Sequence, residues 1–439
     1  MTLRVLIFSS FITAATVPAM ATPEASDTLR WSYADCVAYA KANNISLRQS
    51  ELSLESTKAS LEAARAQWAP SLEFATTQSL SNHPFGQDSK NNYNSTYGLN
   101  AGWTVWDGGR RENTIRRENK QTEIDARNTA DLFRSIETDI LGLYINILYA
   151  REAIAINREA AEVSMAQADR ARQLMESGRL SRVDYAQLLS QARQDEYNVV
   201  NAQGTYDTYC TQLKQLLEIG IDRQIEPVDV SWSADEVTSA YPPLPESYEL
   251  ALATDAKLEA AQLEIESAEL DVKIARAGYY PSLNLNAGVG TGYYAPGGSF
   301  GNQMKWGLNE SVGLTVSVPI LDNKKTKTAV TQANVQRINA MLEEEARRNE
   351  IARTVEGCYI DLQTAIARYN AGVDQVDAVQ LSDELVNEQF SLGLVNTVEL
   401  MQSHNSLLQA RGELLQAKYQ AMLNRKLIEF YRTASVTIP

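Results

Sequence analysis

Apolar side chains recur along two stretches of the chain with the alternating three- and four-residue spacing of a coiled-coil heptad. The first stretch begins at Ile136 and continues with Ile140, Leu143, Ile147, Ala150 and Ile154. The second contains Ile351, Val355, Cys358, Leu362, Ala365 and Tyr369. Such spacing places one apolar stripe along a helix that packs lengthwise against other helices. We therefore predict a long helix in each stretch.

These two helices belong to a repeat that covers both halves of the chain. Residues 64–72, with the sequence Ala-Arg-Ala-Gln-Trp-Ala-Pro-Ser-Leu, recur as residues 275–283, Ala-Arg-Ala-Gly-Tyr-Tyr-Pro-Ser-Leu. Further on, Asp107 and Gly178 match Asp322 and Gly393, and both pairs have the same separation (178 − 107 = 71 and 393 − 322 = 71). A segment of equal length in both copies predicts a rigid structure rather than a linker. As a helix it would be roughly 107 Å long, too long to fold into a compact core.

Before each long helix, apolar and small polar residues alternate. One face of residues 93–105 carries Tyr93, Ser95, Tyr97, Leu99, Ala101, Trp103 and Val105. Alternation also occurs in residues 282–291 and 311–318, and more weakly in 70–80. Runs of about 10 residues with one apolar face are typical of transmembrane β-strands. The alternative is a soluble sheet with half-buried strands.

Aromatic residues near the ends of these strands predict two interfacial belts. One belt comprises Trp68, Trp106, Tyr279 and Tyr280, and the other Tyr93, Tyr293, Tyr294 and Trp306. Four strands cannot close a barrel, because bacterial outer-membrane barrels start at about 8 strands. We therefore expect an oligomer, and strand counting alone does not decide between two chains and three.

The chain divides into four parts. Residues 1–21 have the basic residue, apolar stretch and small-residue site of a secretory signal peptide. Residues 22–218 and 248–439 are the two repeats, with membrane hairpins at about 70–105 and 281–320 and turns near Gly178 and Gly393. Between them, residues 219–247 are predicted to form a proline-rich connector with one short strand at 227–232.

Composition indicates a protein that is neither an enzyme nor a nucleic-acid binder. A formal net charge of −15 disfavours nucleic acid as a partner. The two histidines, His83 and His404, lack the spacing of metal ligands or of a catalytic triad, and no phosphate-binding loop is present. We therefore expect no catalytic residue, cofactor or metal site. Cys358 occupies a heptad position and is expected in the core, whereas pairing between Cys36 and Cys210 is left open.

One polar pattern is repeated near the glycines. Asp184 lies six residues after Gly178, and Glu399 lies six residues after Gly393; Gln187 and Gln402 also match. In an oligomer, one carboxylate from each chain forms a ring, and acidic rings select or bind cations in pores. The alternative is an ordinary acidic residue at a helix start, where the helix dipole favours negative charge.

The order of these features resembles the TolC family of outer-membrane efflux proteins. The features are the signal peptide, the doubled helix and hairpin plan, the Ala-Arg-Ala-x-x-x-Pro-Ser-Leu segments and the glycine turns at Gly178-Arg179-Leu180 and Gly393-Leu394-Val395. The resemblance implies a mainly α chain with a transmembrane antiparallel β-barrel. Three chains would share a 12-stranded β-barrel, four strands each, continued by a long α-helical coiled-coil barrel.

The resemblance also assigns roles to individual positions. Acidic residues that constrict the pore fall on Glu399 and Gln402, the second of which is not acidic here. A tyrosine and an arginine that hold the tip closed in relatives are replaced by Phe390 and Val395, while their aspartate partner is retained as Asp184. Closure is then expected to rely more on apolar packing. The turns expected to dock an adaptor are Gly178, Arg179 and Leu180, and Leu392, Gly393 and Leu394.

The resulting hypothesis is a passive, gated exit duct in the outer membrane that extends into the periplasm. The implied partners are two further chains of a homotrimer, outer-membrane lipid, a periplasmic adaptor (membrane fusion) protein and an inner-membrane pump of the RND, ABC or MFS type. A duct for type I protein secretion is an alternative in the same class. A periplasmic coiled-coil scaffold is the alternative from another class, and it would be extracted without detergent.

Overall fold

The computed structural model describes residues 28–82, 84–85 and 91–438. The predicted signal peptide at residues 1–21 and His83 lie outside the described residues. The first half contains β1 (Thr28–Trp31), α1 (Tyr33–Asn43), α2 (Ile45–Ala66), β2 (Ser71–Asn82), β3 (Asn91–Trp106), α3 (Arg110–Glu176) and α4 (Arg182–Leu216). The middle contains β4 (Gln224–Pro227), α5 (Ala234–Thr238) and α6 (Leu244–Thr254). The second half contains α7 (Ala256–Arg276), β5 (Ser282–Tyr294), α8 (Phe300–Trp306), β6 (Asn309–Ser317), α9 (Lys325–Ser391) and α10 (Thr397–Thr433).

The two predicted long helices are α3 and α9, and each has 67 residues. At 1.5 Å rise per residue, each is roughly 100 Å long. α3 packs along α4, and α9 packs along α10. The heptad residues form the core of this packing: Ile140, Ile147 and Leu362 are fully buried, and Ile351 and Val355 are nearly so. The predicted heptad stripe is therefore confirmed, and the core is a long seam between helices.

The turns from strand to helix have the same construction in both repeats. Gly108 and Gly109 have φ values of 73° and 81°, and Asn323 and Lys324 have φ values of 52° and 65°. In each turn the preceding aspartate accepts a hydrogen bond from the backbone N–H four residues later, at 3.0 Å for Asp107 and 2.8 Å for Asp322. Two left-handed residues and one carboxylate thus redirect the chain from sheet to helix.

The four membrane-type strands form one antiparallel sheet in the order β2-β3-β5-β6. Their register brings like residues together across all four strands. One row consists of Leu72, Ala101, Ala287 and Val312, and the adjacent row consists of Glu73, Asn100, Gly288 and Ser311. Successive residues of a strand point to opposite faces, so the sheet has an apolar face and a polar face. The predicted fold class, mainly helical with four such strands in each chain, is confirmed.

The connector has its strand in a different place from the predicted one. The strand β4 covers Gln224–Pro227 and pairs in parallel with β1, whereas residues 228–233 have no regular secondary structure. The prediction of a strand at 227–232 was wrong because the ladder with β1 ends at Pro227. Beyond it, single contacts fix the chain: the Tyr144 hydroxyl donates to the Val228 carbonyl at 3.0 Å, and Trp232 is buried in the core.

The cysteines are all free, and Cys36 and Cys358 are buried. Cys358 lies in the helical core, as predicted from its heptad position. Within the described ranges, no helix combines the length and the apolar character needed to cross a lipid bilayer.

The Gly108 turn gives a direct test of how the sheet is joined to the helices. A Cβ atom at Gly108 would lie 2.9 Å from both the Ala277 carbonyl oxygen and the Tyr280 Cβ, whereas at Gly178, which has a similar φ of 75°, it would meet nothing within 4 Å. Gly178→Ala therefore incurs only the left-handed backbone cost of about 1–2 kcal/mol. Gly108→Ala adds a steric clash, so we expect the larger fall in thermal unfolding midpoint in detergent. Equal falls for the two variants would show that the contact with Ala277 and Tyr280 is unimportant.

Candidate functional site

The turns at the far ends of α3 and α9 have the same hydrogen-bonding pattern. The Gly178 N–H donates to the Met175 carbonyl at 2.9 Å, and the next N–H donates to Leu174 at 2.8 Å. At Gly393 the corresponding distances are 3.0 and 2.9 Å. This is the Schellman arrangement, in which glycine in a left-handed conformation satisfies the last carbonyls of a helix. The glycines thus end the long helices and define two neighbouring helical hairpins, whose turns we call the tip.

Asp184 joins the two hairpins of the tip. Its Oδ2 accepts a hydrogen bond from the Ser181 hydroxyl at 2.7 Å, within the α4 N-terminus. Its Oδ1 accepts a hydrogen bond from the Thr397 hydroxyl at 2.9 Å, and Thr397 is the first residue of α10. The sequence suggested a helix-start role for Asp184, which the Ser181 contact supplies, but the contact with Thr397 was not foreseen. Ser181 therefore caps α4 by accepting a hydrogen bond from the Asp184 N–H at 3.1 Å, and the Asp184 carboxylate ties this helix start to α10.

The environment of this link keeps Asp184 charged. Hydrogen bonds from the Ser181 side chain and then from Thr397 hold the pKa of Asp184 below its ordinary value of 3.8. Thr397 itself is only 2% exposed, so its hydroxyl has little access to water as an alternative partner. A hydrogen bond to an ionised carboxylate is stronger than one between neutral groups. The link between the hairpins is consequently maintained at neutral pH.

The predicted constriction residues Glu399 and Gln402 lie on the first two turns of α10, and both side chains are exposed. The Glu399 N–H donates to the Asn396 side chain at 2.9 Å, so the residue is part of the helix cap. No ion pair or side-chain hydrogen bond engages the Glu399 carboxylate among the described residues. Its charge is thus available to solvent at the tip.

Phe390 packs into a small apolar cluster near the tip. The cluster centres on Ala168, Ala171, Leu188, Ala192 and Leu400, which come from α3, α4 and α10. Phe390 and Leu180 cover it and are half-buried. The cluster therefore holds both hairpins together beside the Asp184 link.

The predicted docking residues lie at the surface of the tip except Leu180, which is half-buried against the apolar cluster. Arg179 and both turn glycines are exposed, and Leu392 and Leu394 are 73% and 71% exposed. Val183 and Val398, which are not among the predicted docking residues, are also exposed, at 66% and 59%. They occupy equivalent positions in the two repeats, each two residues after a helix N-cap. This repeated apolar position is the sequence signal from which their exposure at the tip could have been predicted. Together these residues give the tip an apolar surface.

A buried polar network extends behind the tip. The His404 Nε2 lies 3.1 Å from Asp195 Oδ2, and both side chains are less than a tenth exposed. Gln191 donates to Asp195 at 3.0 Å and to Asn405 at 3.0 Å. The sequence alone does not reveal a partner for His404, because Asp195 is 209 positions away in the chain. These contacts give α4 and α10 a second, polar connection.

These features define a class of protein: an outer-membrane channel-type chain with four membrane strands and two long helical hairpins. The chain belongs to the outer membrane efflux protein family, whose model matches residues 37–218 and 247–427. The two matched ranges correspond to the two repeats. The predicted family and the predicted location in the outer membrane are both confirmed.

Individual relatives agree with this assignment. The chain is 24% identical over 291 residues to outer membrane protein TolC of Escherichia coli, a match covering 64% of this chain and 58% of TolC. It is 20% identical over 329 residues to outer membrane efflux protein BepC of Brucella suis, covering 75% and 70% of the two chains. A crystal structure of CusC superposes with a TM-score of 0.81 at 17% identity, covering 97% of this chain and 99% of CusC. That likeness extends the shared fold over nearly the whole chain.

The link between Asp184 and Thr397 generates a testable prediction. Thr397→Val preserves the shape of the side chain and removes the donor to Asp184. A net hydrogen bond contributes about 1 kcal/mol, so backbone amides of the two turns should exchange with solvent roughly fivefold faster. Hydrogen exchange measured by mass spectrometry on the full chain in detergent reports this directly.

The matched control is Thr205→Val, since among the described residues the Thr205 hydroxyl donates only to the Asn201 carbonyl of its own helix. The pKa of Asp184 is lower in the folded protein, so the contribution of its charge is complete above the ordinary value of 3.8 and is lost as pH falls through the folded value. The difference between Thr397→Val and the parent protein should therefore be constant from about pH 5 to 8. A difference that disappears within this range would contradict the assignment to Asp184.

Proposed function

We propose that this protein is the passive exit duct of an efflux system, carrying small molecules out through the outer membrane. The strongest support is that one chain contains both a four-stranded sheet, apolar on one face and polar on the other, and helices of 67 residues. The polar face would line a lumen and the apolar face would contact lipid. The helices are long enough to carry that lumen far from the membrane.

In this proposal three chains form a homotrimer. The outer edges of β2 and β6 have no partner strand among the described residues. Joining β6 of one chain to β2 of the next would pair those edges, and three copies would give a 12-stranded barrel within the range of outer-membrane barrels. The helices below would then form a continuous α-helical barrel.

The tip is the proposed gate and docking surface. Glu399 of each chain would contribute to an acidic ring, with Gln402 one turn further on and with Asp184 and Phe390 holding the hairpins together. Leu392, Leu394 and the turn containing Arg179 would receive a periplasmic adaptor, which connects the duct to an inner-membrane pump of the RND, ABC or MFS type. The duct itself needs no energy source in this scheme, because the pump would supply it.

The proposal is tested by conductance of the purified protein in planar lipid bilayers. We expect cation-selective channels, because exposed carboxylates near the entrance raise the local concentration of cations. Correctly assembled protein that inserts into the bilayer but conducts no ions would contradict the duct.

A second prediction concerns Glu399. Glu399→Ala removes the ring of carboxylates, so the concentration of Mg²⁺ that halves the conductance should rise by roughly threefold to tenfold. Gln402→Glu adds a second ring one turn away and should lower that concentration. Glu413→Ala, an exposed acidic position further along α10, is the control. If Mg²⁺ block is unchanged in both tip variants, Glu399 and Gln402 do not line the constriction.

A further inference from the structure

Positive charge is concentrated where the strands meet the helices, although the chain as a whole is acidic. Residues 65–70, 107–116, 273–281 and 322–326 surround this junction and contain eight Lys and Arg residues but only three Asp and Glu residues. The formal net charge of the whole chain is −15. Six of these cations are exposed, have no ion pair among the described residues, and are here called the collar: Arg65, Arg110, Lys273, Arg276, Lys324 and Lys325.

The carboxylates of the junction do not neutralise the collar. Asp107 and Asp322 each accept a hydrogen bond from a backbone N–H group of their own turn, at 3.0 and 2.8 Å. Glu112 is paired with Arg116 at 2.6 Å. All three carboxylates are thus engaged elsewhere, and the collar presents unpaired positive charge to its surroundings.

The collar adjoins the aromatic belt nearest the helices. Trp106 pairs with Leu283 in the apolar rows of the sheet, and the Tyr280 ring packs against Trp106 with centroids 6.4 Å apart. Both aromatic residues therefore lie on the face that would contact lipid. Arg110 is four residues after Trp106 and Arg276 is four residues before Tyr280, so each backbone lies within about 14 Å of a belt residue. Because aromatic belts lie at the level of lipid headgroups, the collar reaches that level too.

We infer that the collar binds the phosphate groups of anionic phospholipids in the inner leaflet of the outer membrane. This leaflet is the relevant one because the long helices leave the sheet at the collar and extend into the periplasm. The inference rests on the proposed barrel, since only a sheet inserted in the membrane brings the collar beside headgroups. Arginine can bind phosphate oxygens with two parallel hydrogen bonds, and lysine attracts them as a point charge. Basic residues beside a membrane span favour anionic lipids in this way.

The inference is tested with the full chain reconstituted in phosphatidylcholine bilayers that contain a small amount of spin-labelled lipid. The immobilised fraction of each label, measured by electron paramagnetic resonance, gives its association with the protein. We expect labelled phosphatidylglycerol to associate at least about threefold more strongly than labelled phosphatidylcholine at low salt. The ratio should approach one at about 1 M salt, where charges are screened beyond roughly 3 Å.

A triple variant removes three collar charges: Arg110→Gln, Lys324→Asn and Lys325→Gln. Asparagine is chosen at position 324 because Lys324 has a φ of 65°, a left-handed conformation that asparagine tolerates. The variant should lose at least about half of the preference for phosphatidylglycerol. A variant that keeps the charges, Arg110→Lys with Lys325→Arg, should retain the preference.

The matched control removes three exposed arginines of α3 and α4 that lie far from the sheet, through Arg158→Gln, Arg170→Gln and Arg182→Gln. It should leave the lipid preference unchanged. Equal association of the two lipids with protein that inserts and conducts would overturn the inference and leave the duct intact, whereas protein that fails to insert would contradict the duct and the inference together. A preference that millimolar inorganic phosphate abolishes would indicate a site for free phosphate and would also overturn the inference.

Discussion

Among the described residues, the outer edges of β2 and β6 have no partner strand, and this unpaired backbone determines how the protein can assemble. Within hydrocarbon, each unpaired N–H or C=O group costs several kcal/mol, so an open sheet edge is not tolerated there. One chain presents two such edges, and its four strands cannot curve far enough to meet each other. The chain is therefore built for assembly with other copies. Its helices, which continue directly from the strands, must then surround a common axis as well.

Rigid turns join the strands to the long helices, so the arrangement of the strands also determines the positions of the helices and of the tip. The two strand-to-helix turns have matching left-handed residues and matching aspartate caps, so both long helices leave the sheet in the same manner. Equal helix lengths bring both hairpin turns to the same level, where Asp184 and Thr397 can meet. A change in the number of residues in only one of the helices would separate the two turns. This explains in physical terms why the repeats agree in length to the residue.

The sequence predicted the elements well because their signals are local. A heptad stripe such as Ile140 to Ile154, or the alternation at residues 93–105, is determined by which side of one element is buried. Contacts between the repeats have no comparable signal. Asp184 with Thr397 and Asp195 with His404 are more than 200 positions apart in the chain, and each residue taken alone resembles an ordinary polar residue of a helix. The strand β4 was misplaced for a similar reason, since its limits are determined by its partner β1 rather than by its own alternation.

Apolar packing and hydrogen bonds have different roles at the tip. Apolar packing of Phe390 and Leu180 over the small cluster stabilises each hairpin against the other. The polar contacts of Asp184, Asp195 and His404 fix their relative positions, because hydrogen bonds are directional where apolar contacts are not. The exposed leucines and valines at the turns contribute little to the stability of one chain. Their exposure is consistent with a surface that a partner protein covers.

The mass of the unheated protein shows whether the open strand edges are closed between copies of this chain. Membranes should be extracted with and without detergent, and the extract examined by light scattering and by gel electrophoresis before and after boiling. We expect that extraction requires detergent, and that the unheated species contains three chains and separates into single chains on heating. A monomer released without detergent would refute closure between copies, because its sheet edges would then be exposed to water and no barrel would exist.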